Sequence, residues 1–155
     1  MRAIMLLLAI VVSGCSTEGQ VTRLIAGSAT LPPSKSWSVV LNGCEPTACI
    51  DIRTAVVARL MGAGVVEGIS SQSPVVLQID IERTRSVSTA ERVLFGAMAG
   101  RNEVEALVTL KDGSGTAIRS FRVKSGSAAH PLSFEAGVQD AYRQFGNDVV
   151  AGVRG

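Results

Sequence analysis

The chain has little of what catalysis and nucleic-acid binding require. Its 155 residues include one histidine, one tryptophan, one tyrosine and three cysteines, and aromatic residues make up only 4% of the sequence. So few aromatic side chains leave little to stack on bases or sugars. The formal net charge is +2, which is too small to attract a polyanion. We therefore expect no nucleic-acid partner.

Side chains for a catalytic or metal centre are also scarce. Catalysis needs a nucleophile with a base, paired carboxylates or a bound metal. His130, the single histidine, stands beside Pro131 in a polar stretch that is typical of a solvated loop. Asp80 and Glu82 alternate along one predicted strand, which is usual for a solvated face. We expect no enzyme activity, no cofactor and no metal site, and a cryptic enzyme stays an alternative.

The first sixteen residues, MRAIMLLLAIVVSGCS, are organised like an export signal. Arg2 is a short basic segment, an apolar run of ten residues follows, and small residues precede Cys15. The run is too short for a membrane-spanning helix, which needs about 20 residues. Val-Ser-Gly-Cys resembles the bacterial lipobox, which implies that Cys15 is acylated and becomes the new N-terminus. An ordinary secretory signal with a chance cysteine is the alternative.

These features predict three segments and a location. The segments are a signal peptide that is removed (residues 1–14), a lipid-anchored tether (15–36) and a single periplasmic domain (37–155). Val21, Leu24 and Ile25 interrupt the polar tether, so part of it could dock on the domain or form a short strand. An inner-membrane retention signal would have an Asp-like residue directly after the acylated cysteine, whereas this chain has Ser16 at that position. The predicted location is therefore the outer membrane, facing the periplasm, if the host is Gram-negative.

The two remaining cysteines, Cys44 and Cys49, predict a disulfide. They are an even number in an oxidising compartment. A bridge that closes so short a loop contributes about 2 kcal/mol by the chain-entropy estimate. A redox pair is the less favoured alternative, because the spacing is not that of a CxxC motif.

Periodicity predicts an α+β fold, an α/β-like sandwich in which a mixed sheet of four to five strands has two helices packed on one face. Ile118 is out of phase with Phe121 and Val123, which predicts either a β-bulge or a late start to regular pairing. The strand–helix–strand order of the first half favours parallel pairing. The expected strands are 37–41, 65–66, 75–82, 103–111 and 118–123, and the expected helices run from Asp51, as its cap, to Gly62 and from Ser133 to Arg154.

An apolar stretch at residues 93–99 has glycine within it and no clear period. It either packs under the sheet as a buried connection or forms a contact surface for a partner or a membrane. The glycines do not match a phosphate-binding loop. In the contact interpretation, the contact residues are Val93, Leu94, Phe95 and Met98.

Four segments and a terminal amphipathic helix carry a resemblance to known proteins. The segments are VVLQIDIER at 75–83, RVLFGAMAG at 92–100, EVEALVTLKDGSG at 103–115 and SFRVKSG at 120–126. Together they resemble an uncharacterised family of small outer-membrane lipoproteins from Gram-negative bacteria, which has no catalytic residues to carry over. The first half is distantly similar to lipoproteins that activate penicillin-binding proteins and to curli-secretion lipoproteins. Those proteins act by protein contact.

The expected function is that of a lipid-anchored, non-enzymatic envelope lipoprotein. It would attach to the membrane through Cys15 and bind another envelope protein as a scaffold, assembly factor or regulator. The first alternative is a periplasmic binding module for lipid or glycan, and a closed pocket lined by residues 93–99 would distinguish it from the scaffold.

Overall fold

A computed structural model describes residues 19–25, 31, 34–87, 90–91, 94, 100–127 and 136–155. Within these ranges the chain forms six strands and two helices. The elements are β1 (Gly19–Ile25), β2 (Ser36–Asn42), α1 (Pro46–Gly62), β3 (Gly68–Ile69), β4 (Val76–Arg85), β5 (Glu103–Lys111), β6 (Ala117–Gly126) and α2 (Ala136–Arg154).

The strands form one sheet in the order β1-β6-β5-β4-β2-β3. β2 pairs in parallel with both β3 and β4, whereas the other neighbours are antiparallel. The parallel pairing follows from α1, which carries the chain back across the sheet between β2 and β3. A mixed α+β fold is therefore confirmed, but the sheet has six strands rather than four to five.

Strand β1 is one reason why the prediction counted too few strands. It lies within the segment assigned to the tether and pairs antiparallel with β6, with Val21 opposite Val123. Its other side chains are mostly polar and exposed. A strand at the edge of a sheet tolerates polar residues, so the apolar alternation that reveals a central strand is missing.

Both helices lie on the same face of the sheet, as predicted. α1 packs against β2 and α2, whereas α2 packs against β1, β5 and β6 as well as α1. The two helices therefore divide the face, with α1 towards the β3 edge and α2 towards the β1 edge.

The predicted start of α1 is wrong. We expected Asp51 to cap the first turn, but the helix begins at Pro46 with Glu45 as its N-cap residue. Proline suits a first turn, because its fixed φ is helical and the missing N–H would have no partner there. The first residue of α1 to be fully buried is Ile52, so the earlier turn has no amphipathic signal. The helix ends at Gly62, as predicted.

The core lies between the sheet and the two helices. The predicted strand alternation holds along β5 and along β4 as far as Ile81, where every second residue is buried; the last four residues of β4 are exposed. The predicted bulge is also present, because Ile118 has no partner between the pairs Leu110–Arg119 and Lys111–Ala117. The short strand expected at 65–66 lies instead at Gly68–Ile69, and Val66 is buried in the core. The largest fully buried side chains are Trp37, Phe121, Phe145, Ile52, Leu60, Leu77, Ile79 and Leu110.

Candidate functional site

Most residues of the predicted lipidation and contact sites lie outside the described ranges. Leu94 is described, and 75% of its surface is exposed. The acylation and the contact at residues 93–98 therefore stay predictions. The predicted residues outside the described ranges are Cys15, Val93, Phe95, Met98 and the lone His130.

The predicted bridge between Cys44 and Cys49 is present in the structure, with the two Cα atoms 5.5 Å apart. Cys44 follows β2, and Cys49 lies in the first turns of α1. The Cys49 N–H also donates a hydrogen bond to the Glu45 carbonyl at 2.9 Å. The bridge thus fixes the beginning of α1 next to the end of β2.

Asp80 and Glu82 have different hydrogen-bond partners. The Asp80 carboxylate accepts hydrogen bonds from the side-chain amides of Asn42 and Gln78, each with a shortest distance of 2.8 Å. Glu82 makes a two-point contact with Arg122, at 2.8 and 2.9 Å. Each carboxylate therefore has its own partners in a polar network on the sheet face opposite the helices, which we call the open face.

The outward side of α1 is an exposed apolar surface. Ile50 is 65% exposed and Met61 is 46% exposed, while Ile52, Val56 and Leu60 on the opposite side are buried. The helix is therefore apolar on two sides, and the core covers only one of them. The second side and β3 form a groove of about 530 Å³, the α1 groove, which is lined by Ile50, Arg53, Thr54, Val57, Ala58 and Ile69.

A cleft of about 340 Å³, lined by both polar and apolar side chains, opens where α1 and α2 begin and β4 ends. Burial and the nearby negative charge of Asp51 raise the pKa of the Tyr142 phenol in its wall. Asn102, also in the wall, is buried. Its Oδ1 accepts a hydrogen bond from the Val87 N–H at 2.7 Å, but its Nδ2 has no partner in the described part of the chain. The cleft is therefore the candidate for a small-ligand site.

A buried carboxylate joins β6 to α2. Ser125 Oγ donates a hydrogen bond to Asp148 Oδ2 at 2.5 Å, and Gln144 Nε2 donates to Oδ1 at 2.9 Å. Burial raises the pKa of Asp148, and these two hydrogen bonds oppose the rise. Gln144 is four residues from Asp148 on the same helix, but Ser125 is 23 residues away on β6, so the sequence alone does not indicate that this carboxylate is buried between β6 and α2.

The described ranges contain neither a cluster of metal ligands nor a membrane-spanning helix. No group of three or more His, Cys, Asp and Glu side chains gathers there as ligands of a metal ion would. Neither described helix combines the length and the hydropathy that a membrane crossing requires.

The sequence matches a protein family over residues 45–131, more than half of the chain. That family is described as a domain of unknown function, DUF4410. The chain belongs to this family, which confirms the resemblance to an uncharacterised family. No curated protein matches the sequence.

The structure is similar to PelC from Paraburkholderia phytofirmans, which was solved as a dodecamer. The TM-score is 0.62 at 17% sequence identity, and the similarity covers 88% of this chain and 98% of PelC. A dodecameric variant of the same protein gives a TM-score of 0.60 at 17% identity, covering 89% of this chain and 99% of the variant. At this identity the similarity establishes the fold alone.

Proposed function

We propose that this protein is a lipid-anchored, non-enzymatic scaffold of the cell envelope that acts through protein–protein contact and assembles from several copies of itself. The observation that carries the proposal is the α1 groove, an apolar surface on the outside of a helix whose other side already fills the core. A contiguous apolar surface on a soluble domain marks a contact site more often than it marks chance exposure.

The composition of the groove favours a protein partner over a small molecule. Its walls combine the branched side chains of Ile50, Val57 and Ile69 with the stem and charge of Arg53. An apolar centre with arginine is typical of protein interfaces. The groove is also open and shallow, whereas small-molecule sites enclose most of their ligand.

The fold supports assembly from several copies. PelC, which has this fold, was solved as a dodecamer. We extend that arrangement to the present chain as part of the proposal. In such an assembly the α1 groove would be covered by the next copy.

The location rests on the sequence. The signal-like segment and Cys15 support export and acylation. Several acyl chains, at about 0.8 kcal/mol per buried methylene, would hold each copy on the membrane. Ser16 supports the outer membrane as that membrane.

A photo-crosslinking amino acid in place of Ile50, in the full-length protein made in a Gram-negative host, tests the proposal. We expect one dominant adduct whose mass is that of two copies. The matched control is the same substitution at Asn147, an exposed residue of α2, which should give no such adduct. No adduct from Ile50, or equal labelling from both positions, would refute the contact. An adduct with one other protein would be consistent with a scaffold function but would refute self-assembly through the α1 groove.

A second candidate function is a binding module for lipid or glycan, and the cleft beside Asn102 and Tyr142 favours it. Asn102 Nδ2, which has no partner in the described part of the chain, would donate to an oxygen of the ligand. A ligand that binds only the folded state raises the midpoint of thermal unfolding. The test measures the midpoint of thermal unfolding with each member of a panel of lipids and oligosaccharides and with buffer alone. If no member of the panel raises the midpoint, this candidate function is refuted.

A further inference from the structure

We propose that copies of this chain join edge to edge, with β1 of one copy pairing antiparallel with β2 of the next. This inference rests on the proposed function, because it names the contact by which the copies assemble. It extends one continuous sheet through the assembly.

Both edges of the sheet leave backbone groups available for pairing. β1 is the terminal strand on one side. On the other side, β3 pairs only with Ser36 and Trp37 of β2. Residues 38–42 of β2 therefore have no strand partner on that side within the described part of the chain. β1 and β2 are each seven residues long, and unpaired edges of this kind attract another strand.

An exposed apolar side chain lies on each of these strands. Leu24 in β1 is 52% exposed and Val40 in β2 is 42% exposed. Val40 lies on the open face, because its neighbours in the alternation, Val39 and Trp37, are buried. Opposed or diagonal side chains of paired strands contact each other. Pairing of β1 with β2 would therefore let Leu24 and Val40 cover each other.

The strand directions fit this pairing. β1, β6, β5 and β4 alternate in direction, and β2 runs parallel to β4. β1 and β2 therefore run in opposite directions within one copy, so a sheet continued into the next copy pairs them antiparallel.

The side chains to be paired also lie on the same face of the sheet. Thr22 lies opposite Arg122, which is exposed between the buried Phe121 and Val123, so Thr22 shares the open face with Val40.

This contact is head to tail. It joins two different edges, so each copy in a chain can pair at both, and the series closes into a ring when the rotation between copies allows it. The α1 groove lies beside the same β2–β3 edge, since Ile69 of β3 forms part of its wall. The strand pairing and the groove therefore form one continuous interface, with the sheet and the helix layer both extended to the next copy.

The test is disulfide crosslinking of the full chain, extracted in mild detergent. Thr22→Cys and Val40→Cys together should give a ladder of multimers on mild oxidation. Mixing the two single variants should give dimers only, and each single variant alone should give none. Because Ser38 and Asn42 share the face of Val40, Thr22→Cys is also combined with Ser38→Cys and with Asn42→Cys. These pairs cover shifts of the register by two residues.

The control pair is Lys124→Cys with Val40→Cys. Lys124 of β6 lies opposite Gln20 of β1. It is on the open face but one strand further from the edge, so the control pair should give no multimer. Dimers from Thr22→Cys alone would show β1 pairing with β1 and overturn the head-to-tail contact. A multimeric wild type with no crosslink at residues 38, 40 or 42 would overturn the edge pairing and leave the proposed function standing. A wild type that is a single chain at every concentration would overturn both.

Discussion

The backbone of Gly19 lies directly against the carboxylate of Asp148. A Cβ atom added at residue 19 would be 2.1 Å from Asp148 Oδ2, the same oxygen that accepts the hydrogen bond of Ser125. Strands β1 and β6 and helix α2 thus meet at one buried carboxylate. This contact attaches β1 to the rest of the domain and fixes the position of β1 at the edge of the sheet.

Gly19→Ala should destabilise the domain by about 1–3 kcal/mol, because an added methyl group has no room beside Asp148 and packing must shift to admit it. Denaturant unfolding measures the loss, and hydrogen exchange should increase in β6, the partner of β1. Gly62→Ala is the control, because nothing lies within 4 Å of a Cβ at that position. Equal stability of the two variants would contradict the close approach at Gly19.

The buried carboxylate predicts a pH dependence of stability. Because burial raises the pKa of Asp148, the folded state binds the proton more tightly than the unfolded state. The stabilisation is therefore present at acidic pH and is lost as the pH rises through the raised pKa. Asp148→Asn should remove this component and flatten the pH profile of the free energy of unfolding. Asp140→Asn, on the same helix, is the control, and an unchanged profile for Asp148→Asn would rule out this source.

Replacing both bridged cysteines, Cys44→Ala with Cys49→Ala, should lower the free energy of unfolding by about 2 kcal/mol, since the unfolded chain gains loop freedom. Denaturant unfolding with and without a reductant measures the effect. A reductant should weaken the wild type by the same amount and leave the double variant unchanged. A reductant effect on the double variant would mean that the bridge is not its cause.

Ile50→Lys should separate assembly from folding. Ile50 is 65% exposed, so its replacement should change stability by no more than about 0.5 kcal/mol. A charge in the α1 groove should nevertheless shift the protein towards single chains, as measured by light scattering across a concentration series. Asn147→Lys adds the same charge to α2 and should leave assembly intact. Normal assembly of Ile50→Lys would remove the groove from the interface.

Cys15→Ser should release the protein from the membrane into the soluble periplasmic fraction, because the thiol that accepts the first lipid is gone. Fractionation followed by immunoblotting measures the shift. Ser13→Ala, in the same small-residue segment, keeps the cysteine and serves as the control. Persistence of Cys15→Ser in the membrane fraction would contradict the lipid anchor.

Central strands were predictable from the sequence, and edge elements were not. β5 and the first six residues of β4 alternate between buried and more exposed side chains, because one face packs against the helices and the other faces solvent. β1 carries no such pattern, because a strand at the edge of a sheet tolerates polar side chains. The first turn of α1 was missed for a similar reason, because nothing before Ile52 in that helix is fully buried.

Part of the candidate site has a signal in the sequence. Ile50, Val57 and Met61 recur at helical spacing on α1 beside the core-facing stripe, and this second stripe indicates a second contact surface. The contact of Asp148 with Ser125 and the Asn102 Nδ2 that has no partner among the described residues have no comparable signal. Both depend on which distant segments the fold brings together.

The most direct test of the scaffold proposal is the mass of the detergent-extracted wild-type protein, measured by native mass spectrometry over a range of concentrations. We expect a discrete multiple of the mature chain mass, and we expect Ile50→Lys to shift this species towards the single chain. A single-chain mass at every concentration would contradict the proposed self-assembly.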